Sequence, residues 1–114
     1  MRYTAIVDYG VGNLKSVANA MAYIGCQTLV TGDARELERA DAIILPGVGA
    51  FPDAADKLRR SGLDRTLLNQ AGRKPILGIC LGMQLLFDVG DEGEICKGLG
   101  LVGGCVTRIK TGLK

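Results

Sequence analysis

The sequence predicts an α/β protein of three layers, in which a mostly parallel sheet carries helices on both faces. Short apolar runs alternate with segments whose apolar residues recur at helical spacing, and this alternation is typical of βαβ units. The chain also holds 17 glycines, several of them directly after the expected strands. Open α/β sheets build their sites beyond the carboxyl ends of their strands, so we expect the functional residues in these glycine-rich turns.

The amino-terminal third is expected to form two strand–helix units. Tyr3–Asp8 has an apolar centre, which suits a strand that is buried on both faces. Asn13 is the expected N-cap of the first helix, and Gly25 is placed to end it. Gln27–Val30 predicts a weaker strand, and Ala34–Arg39 predicts a short helix with polar faces.

The central part of the chain continues the alternation. Asp41–Leu45 and Pro75–Ile79 predict strands, and Pro52–Arg60 and Leu63–Gln70 predict the helices between them. A further helix is expected to open at Met83–Phe87.

The remaining residues have a different pattern. Asp91–Glu94 is expected to be a solvated loop. Leu99–Val102 and Cys105–Ile109 predict two strands on either side of Gly103 and Gly104, in the arrangement of a hairpin.

The composition favours an ordinary globular domain. Hydrophobic residues make up 47% and charged residues 23% of the chain, and the formal net charge is +2 without any basic run. We therefore expect neither nucleic acid nor membrane as a partner. No apolar stretch reaches the roughly 18 residues of a membrane span. Met1–Asp8 is too short and too soon acidic for a signal peptide, which predicts a cytoplasmic protein.

The sequence predicts no metal or cofactor site. No C-x-x-C pair is present, so a structural zinc site is not expected. Gly10 and Gly12 begin a dinucleotide-like pattern, but Lys15 stands where its third glycine belongs, which argues against a nicotinamide site. The four cysteines are expected to be free thiols of a reducing compartment: Cys26, Cys80, Cys96 and Cys105.

The strongest candidate for chemistry is the segment Gly78-Ile79-Cys80-Leu81-Gly82, between an expected strand and an expected helix. This is the arrangement of a nucleophile elbow, with cysteine as the nucleophile. Flanking glycines allow close backbone packing around the turn, and the helix terminus favours a thiolate. The Leu81 N–H could donate to a developing oxyanion. The competing interpretation, a small buried hydrophobic residue, is less consistent with this context.

Two other glycine-containing loops are weaker candidates. Leu45–Phe51 offers backbone N–H groups that could bind an anion or act as a second oxyanion donor, although it could equally be an ordinary loop. Asp8–Asn13 could form a wall of the site or contact a partner.

Together these segments resemble the class I glutamine amidotransferases. The matching stretches are Asp8–Asn13, Leu45–Phe51 and Gly78–Phe87, and Lys97–Val102 also fits. Their combination is most similar to the glutaminase subunits of imidazole glycerol phosphate synthase, in histidine biosynthesis. The resemblance implies a flavodoxin-like fold, with residues 1–114 as the amino-terminal part of a single amidotransferase domain.

The resemblance also implies roles for the substrate-side residues. Cys80 would attack the glutamine carboxamide and form a glutamyl thioester. Leu81 would be one oxyanion donor, and others would come from Gly47 and Val48 after this segment reorients. Gly49 and Gln84 would hold the amino-acid end of glutamine.

A partner is implied as well. Ammonia would pass to a cyclase subunit, a (β/α)-barrel protein that makes imidazole glycerol phosphate and aminoimidazole carboxamide ribonucleotide. Tyr9, Gly10 and Asn13 would lie near that partner, together with Val48.

One feature departs from the family. Class I sites use a Cys-His-Glu triad, and this sequence contains no histidine. We therefore expect a fragment that has little glutaminase activity alone and exposes apolar sheet edges. The main alternative is a truncated, non-catalytic module that only docks the cyclase. An amidotransferase that serves another synthase, and a flavodoxin-like nucleotide binder, are further alternatives.

Overall fold

The computed structural model describes residues 2–91, 94–107 and 109, and it contains two sheets flanked by helices. The elements in chain order are β1 (Thr4–Val7), α1 (Leu14–Tyr23), β2 (Thr28–Thr31), α2 (Ala34–Arg39), β3 (Ala42–Leu45), α3 (Phe51–Arg60), α4 (Leu63–Gln70), β4 (Ile76–Gly78), α5 (Leu81–Gln84), β5 (Phe87–Asp91), β6 (Ile95–Lys97) and β7 (Val102–Thr107). Within the described part of the chain, no helix has the length and apolarity needed to cross a membrane.

The first sheet is entirely parallel, with four strands in the order β2–β1–β3–β4. Helices connect its successive strands, as βαβ units require. The predicted α/β class with a parallel sheet is therefore confirmed. This order places the carboxyl ends of β1, β3 and β4 side by side, and the turns that follow these strands meet at one edge.

The main core lies on one face of this sheet. Ala5, Val7, Ile43 and Leu45 belong to one buried cluster, together with apolar side chains of α2, α3 and α4. Neighbouring residues of a strand point to opposite faces, so Ile6 and Ile44 face the other side, where α1 packs. Met21 of α1 lines a shallow pocket there with Ile44 and Leu77. Helices thus flank both faces.

Most of the predicted boundaries are confirmed. The helices at Ala34–Arg39 and Leu63–Gln70 have the bounds that the sequence predicted. The Asn13 side chain accepts a hydrogen bond from the Ser16 N–H at 3.4 Å, as an N-cap does. Gly25, with φ +81°, follows the end of α1.

The helix predicted at Met83–Phe87 is wrong. The helix there spans only Leu81–Gln84, and Phe87 begins β5. β5 is the centre of a second, three-stranded sheet of order β6–β5–β7. Because β5 pairs with strands that lie later in the chain, its conformation depends on contacts that no local pattern contains.

The hairpin predicted around Gly103 and Gly104 is also wrong. Both glycines lie within a single strand, β7, which runs parallel to β5. The register shifts between Phe87–Val102 and Val89–Cys105, so the glycines form a bulge. Of the predicted Asp91–Glu94 loop, Asp91 ends β5, Glu94 is exposed, and residues 92–93 lie outside the described part.

Candidate active site

Cys80 occupies the sharp turn between β4 and α5. Its backbone has φ 55° and ψ −124°, and it is the one non-glycine residue with positive φ among the described residues. Such a conformation costs on the order of 1–3 kcal/mol and persists where the surroundings impose it, most often at functional sites. The side chain is exposed and its thiol is free. The structure therefore presents a reachable sulfur on a strained turn, as an elbow requires.

The two glycines that flank Cys80 are packed too closely for any side chain. A Cβ at Gly78 would lie 2.5 Å from the Met83 Cα, and a Cβ at Gly82 would overlap the Leu45 carbonyl oxygen. Both obstacles are backbone, which cannot rotate away as a side chain can. The spacing of the glycines in the sequence is thus explained by the packing of the elbow against β3 and its own helix.

The loop that follows β3 lies directly against the elbow. The Ile79 N–H donates to the Leu45 carbonyl at 3.0 Å, and the Leu81 N–H donates to the Gly47 carbonyl at 3.2 Å. A Cβ at Gly47 would lie 2.8 Å from the Gly82 nitrogen. The structure therefore brings together two segments that the sequence analysis selected separately.

The bond between Leu81 and Gly47 bears on the expected oxyanion donors. In this conformation the Leu81 N–H already has an acceptor, the Gly47 carbonyl. The helix that begins at Leu81 has four residues, so its dipole is small. Val48 is 55% exposed, and Gly49 has φ +95° with no atom near its Cβ position. Residues 48 and 49 consequently have room to change conformation.

Tyr9, in the loop that follows β1, contacts the loop that follows β3. Its hydroxyl donates a hydrogen bond to the Pro46 carbonyl at 2.7 Å, and only 6% of the residue is exposed. Burial raises the pKa of the Tyr9 hydroxyl to about 12. The sequence analysis assigned Tyr9 to a partner surface and missed this contact, because the two residues lie 37 positions apart and no local pattern relates them.

Gln84 carries a buried polar atom. Its side chain is half-buried, and its Oε1 is inaccessible without a hydrogen-bond partner among the described residues. An unpaired buried amide oxygen costs about 1–3 kcal/mol, so this conformation of Gln84 is destabilised by its lack of a donor. Gln84 ends the short helix α5, which begins directly after Cys80.

The remaining predicted site residues lie at the surface. Gly10 and Asn13 are exposed, beside the buried Tyr9. Among the other cysteines, Cys26 and Cys96 are half-buried and Cys105 is exposed, and all three are free thiols. Within the described residues, no group of three or more His, Cys, Asp or Glu side chains is arranged to hold a metal ion.

Comparison with known protein families agrees with this geometry. Residues 5–107 match the family described as glutamine amidotransferase class-I. The chain belongs to the class I glutamine amidotransferase family. The matched span includes the Cys80 elbow, the Pro46–Gly49 loop and nearly all of the described strands.

Relatives of this amidotransferase include imidazole glycerol phosphate synthase subunit HisH from several Bacillus species. The Bacillus anthracis subunit (strain CDC 684 / NRRL 3495) is 51% identical over 112 residues, which cover 96% of this chain and 53% of the relative. The subunit of Bacillus thuringiensis subsp. konkukian (strain 97-27) is 50% identical over 111 residues, with the same coverage. The chain thus spans about half the length of the curated relatives it matches.

A solved structure supports the fold. A protein described as a glutamine amidotransferase superimposes with a TM-score of 0.77, over 92% of this chain and 56% of that one. The two sequences are 19% identical, so this similarity concerns the fold alone.

Proposed function

We propose that this amidotransferase chain carries the nucleophile of the glutaminase subunit of imidazole glycerol phosphate synthase. In this proposal it hydrolyses glutamine to glutamate and ammonia, and the ammonia passes to a cyclase subunit in histidine biosynthesis. The observation that carries the proposal is the strained, exposed Cys80 between two glycines whose Cβ positions are blocked by backbone atoms. The identity of about half of the residues to HisH subunits supports the choice of pathway.

The chemistry begins at the Cys80 sulfur. The thiolate attacks the side-chain carboxamide carbon of glutamine, a C–S bond forms, and the carbonyl oxygen takes the negative charge. Collapse of this intermediate breaks the C–N bond, releases ammonia and leaves a glutamyl thioester, which water hydrolyses to glutamate and the free thiol. The thiol proton must reach the departing ammonia through a base. Since the sequence contains no histidine, an imidazole base would come from outside these 114 residues.

The oxyanion donors require a local change. Gly47 O and Val48 N belong to one peptide unit, and that carbonyl accepts the bond from Leu81. A flip of this peptide withdraws the carbonyl, frees the Leu81 N–H and turns the Val48 N–H toward the elbow. Both N–H groups can then bind the oxyanion. The flip changes ψ of residue 47 and φ of residue 48, and glycine at position 47 lowers the barrier because it has no Cβ.

In this proposal, Gln84 and Gly49 bind the amino-acid end of glutamine. The Oε1 of Gln84, which is buried and unpaired in this conformation, would accept a hydrogen bond from the α-ammonium group of glutamine once the neighbouring loop moves and uncovers it. The open space at Gly49 lets the amino-acid end of the substrate approach the backbone.

The partner interface lies at the loop that follows β1. Gly10 and Asn13, which are exposed, would contact the (β/α)-barrel cyclase together with Val48. The two subunits would form a cytoplasmic heterodimer.

Glutamate release by the native protein, assayed with a barrel cyclase partner, tests the proposal. We expect Cys80→Ser to reduce turnover at least about 10³-fold, because the nucleophile is lost. Cys105→Ser is the matched control, since Cys105 is also an exposed free thiol, and it should leave turnover unchanged. Binding of the cyclase without any glutamate release would instead favour a docking module, and equal effects of the two variants would refute the role of Cys80.

A further inference from the structure

The Tyr9 hydroxyl is a buried polar group to which the proposed mechanism gives no role. It donates to the Pro46 carbonyl at 2.7 Å in a buried environment. Among the described residues, no backbone N–H donates to that carbonyl. Tyr9 is therefore the donor that this structure provides for a buried acceptor, and an acceptor without a donor costs about 1–3 kcal/mol.

The position of this hydrogen bond matters for the elbow. The Pro46 carbonyl belongs to the peptide unit just before the Gly47–Val48 peptide, whose carbonyl accepts the bond from Leu81. The Tyr9 oxygen also lies close to Gly47, since a Cβ built there would be 2.9 Å from it. The hydroxyl consequently fixes the Pro46 end of the Pro46–Gly49 loop. The other end, at Gly49, has open space around it.

We propose that Tyr9 is a positioning residue for the glutaminase reaction, whose hydroxyl holds the Pro46 carbonyl so that the next peptide can turn about a fixed end. This inference rests on the proposed function. Fixing one end confines the flip to the Gly47–Val48 peptide and aims the Val48 N–H at the oxyanion. Without the hydroxyl, the Pro46 peptide can rotate as well, and the donor points in several directions.

The packing around Pro46 supports a fixed end. Proline restricts its own φ, and a Cβ at Gly12 would lie 3.2 Å from the Pro46 Cβ, so glycine at position 12 lets the loop that follows β1 lie close to the ring. The high pKa of Tyr9, about 12, keeps the hydroxyl protonated, and a protonated hydroxyl is able to donate to a carbonyl. Pro46 thus has a restricted φ, and its carbonyl is held by the Tyr9 hydroxyl.

The test replaces Tyr9 with phenylalanine, which removes only the hydroxyl, in the native protein with its barrel cyclase. We expect kcat for glutamine hydrolysis to fall about tenfold, with KM within about twofold, because misaligned donors weaken binding of the transition state and not of glutamine. Alkylation of Cys80 by iodoacetamide needs no oxyanion donor, so its rate should stay within about twofold.

Tyr3→Phe is the matched control. The Tyr3 hydroxyl likewise donates to a backbone carbonyl, that of Glu36 at 2.5 Å, but far from the elbow in the structure. We expect Tyr3→Phe to leave kcat unchanged. An unchanged kcat in Tyr9→Phe, or an equal fall in kcat, alkylation rate and cyclase binding, would overturn the positioning role. If the unaltered protein releases no glutamate, the proposed function is overturned as well. If the unaltered protein releases glutamate and Tyr9→Phe has the same kcat, only this inference is overturned.

Discussion

At the scale of single residues, the backbone of Cys80 stores strain that its side chain does not relieve. Among the described residues, a positive φ is otherwise found only at glycines, yet a cysteine with φ 55° occupies this position and its side chain is exposed. Neighbouring hydrogen bonds hold this conformation, including Leu81 N–H to the Gly47 carbonyl and Met83 N–H to the Cys80 carbonyl. A strained residue that buries nothing is consistent with a chemical role.

Replacing Cys80 with glycine should separate stability from activity. Glycine accepts positive φ without strain, so we expect Cys80→Gly to raise the free energy of unfolding by about 1 kcal/mol while abolishing glutamate release. Urea denaturation measures the first effect. Cys105→Gly is the control: Cys105 is exposed in β7 and lacks positive φ, so glycine there should cost about 0.5–1 kcal/mol. Equal destabilisation by both variants would argue against strain at Cys80.

The sequence revealed only part of the site at this scale. Cys80, Gly78 and Gly82 could be predicted because the elbow is a local pattern of five residues whose geometry depends on its own spacing. The contacts of Tyr9 with Pro46 and of Leu81 with Gly47 could not be predicted. They join residues more than 30 positions apart, and only the order of the parallel strands brings them together.

At the scale of secondary structure, the errors have a common cause. Leu85, Leu86 and Phe87 form a continuous apolar run, which fits a buried helix as well as a buried strand. Pairing of Phe87 with Val102 decides in favour of a strand. Gly103 and Gly104 suggest a turn, but here they form a bulge. In both places a partner strand later in the chain determines the conformation.

The carboxyl end of α2 depends on one lysine. The Lys74 ammonium group donates to the carbonyls of Leu37 at 2.9 Å, Glu38 at 2.6 Å and Ala40 at 2.6 Å. The Leu37 carbonyl also accepts from the Ala40 N–H at 3.3 Å, and a cation at this end of a helix stabilises the carbonyls of the last turn. Lys74 thereby ties α2 to the segment that leads into β4.

Removing this ammonium group should destabilise the fold. We expect Lys74→Met, which keeps most of the aliphatic stem, to lower the free energy of unfolding by about 1–2 kcal/mol, because three carbonyls lose a charged donor. Arg73→Met, at the exposed neighbouring position, should change it by less than about 0.5 kcal/mol. Urea denaturation of both variants checks this prediction, and similar midpoints would contradict it.

At the scale of the whole molecule, the fold class followed from the alternation of strands and helices, and the second sheet did not. The parallel sheet is built from local units, each with its own apolar strand and helix. β4 is an edge of that sheet within the described residues, and Leu77 on it is 56% exposed. The edge strand β4 thus exposes one large apolar side chain, and aggregation of the chain when alone remains a prediction.

Of the four thiols in the whole molecule, only Cys80 is expected to react as a nucleophile toward glutamine. The decisive measurement is peptide mapping by mass spectrometry, after the native protein and the proposed cyclase partner are treated briefly with a diazoketone analogue of glutamine. We predict one adduct, on Cys80, formed at least about 10²-fold faster than on the other cysteines, because the proposed glutamine site lies at its turn and holds the reagent beside its sulfur. Equal labelling of Cys26, Cys80, Cys96 and Cys105 would contradict the assignment of the active site.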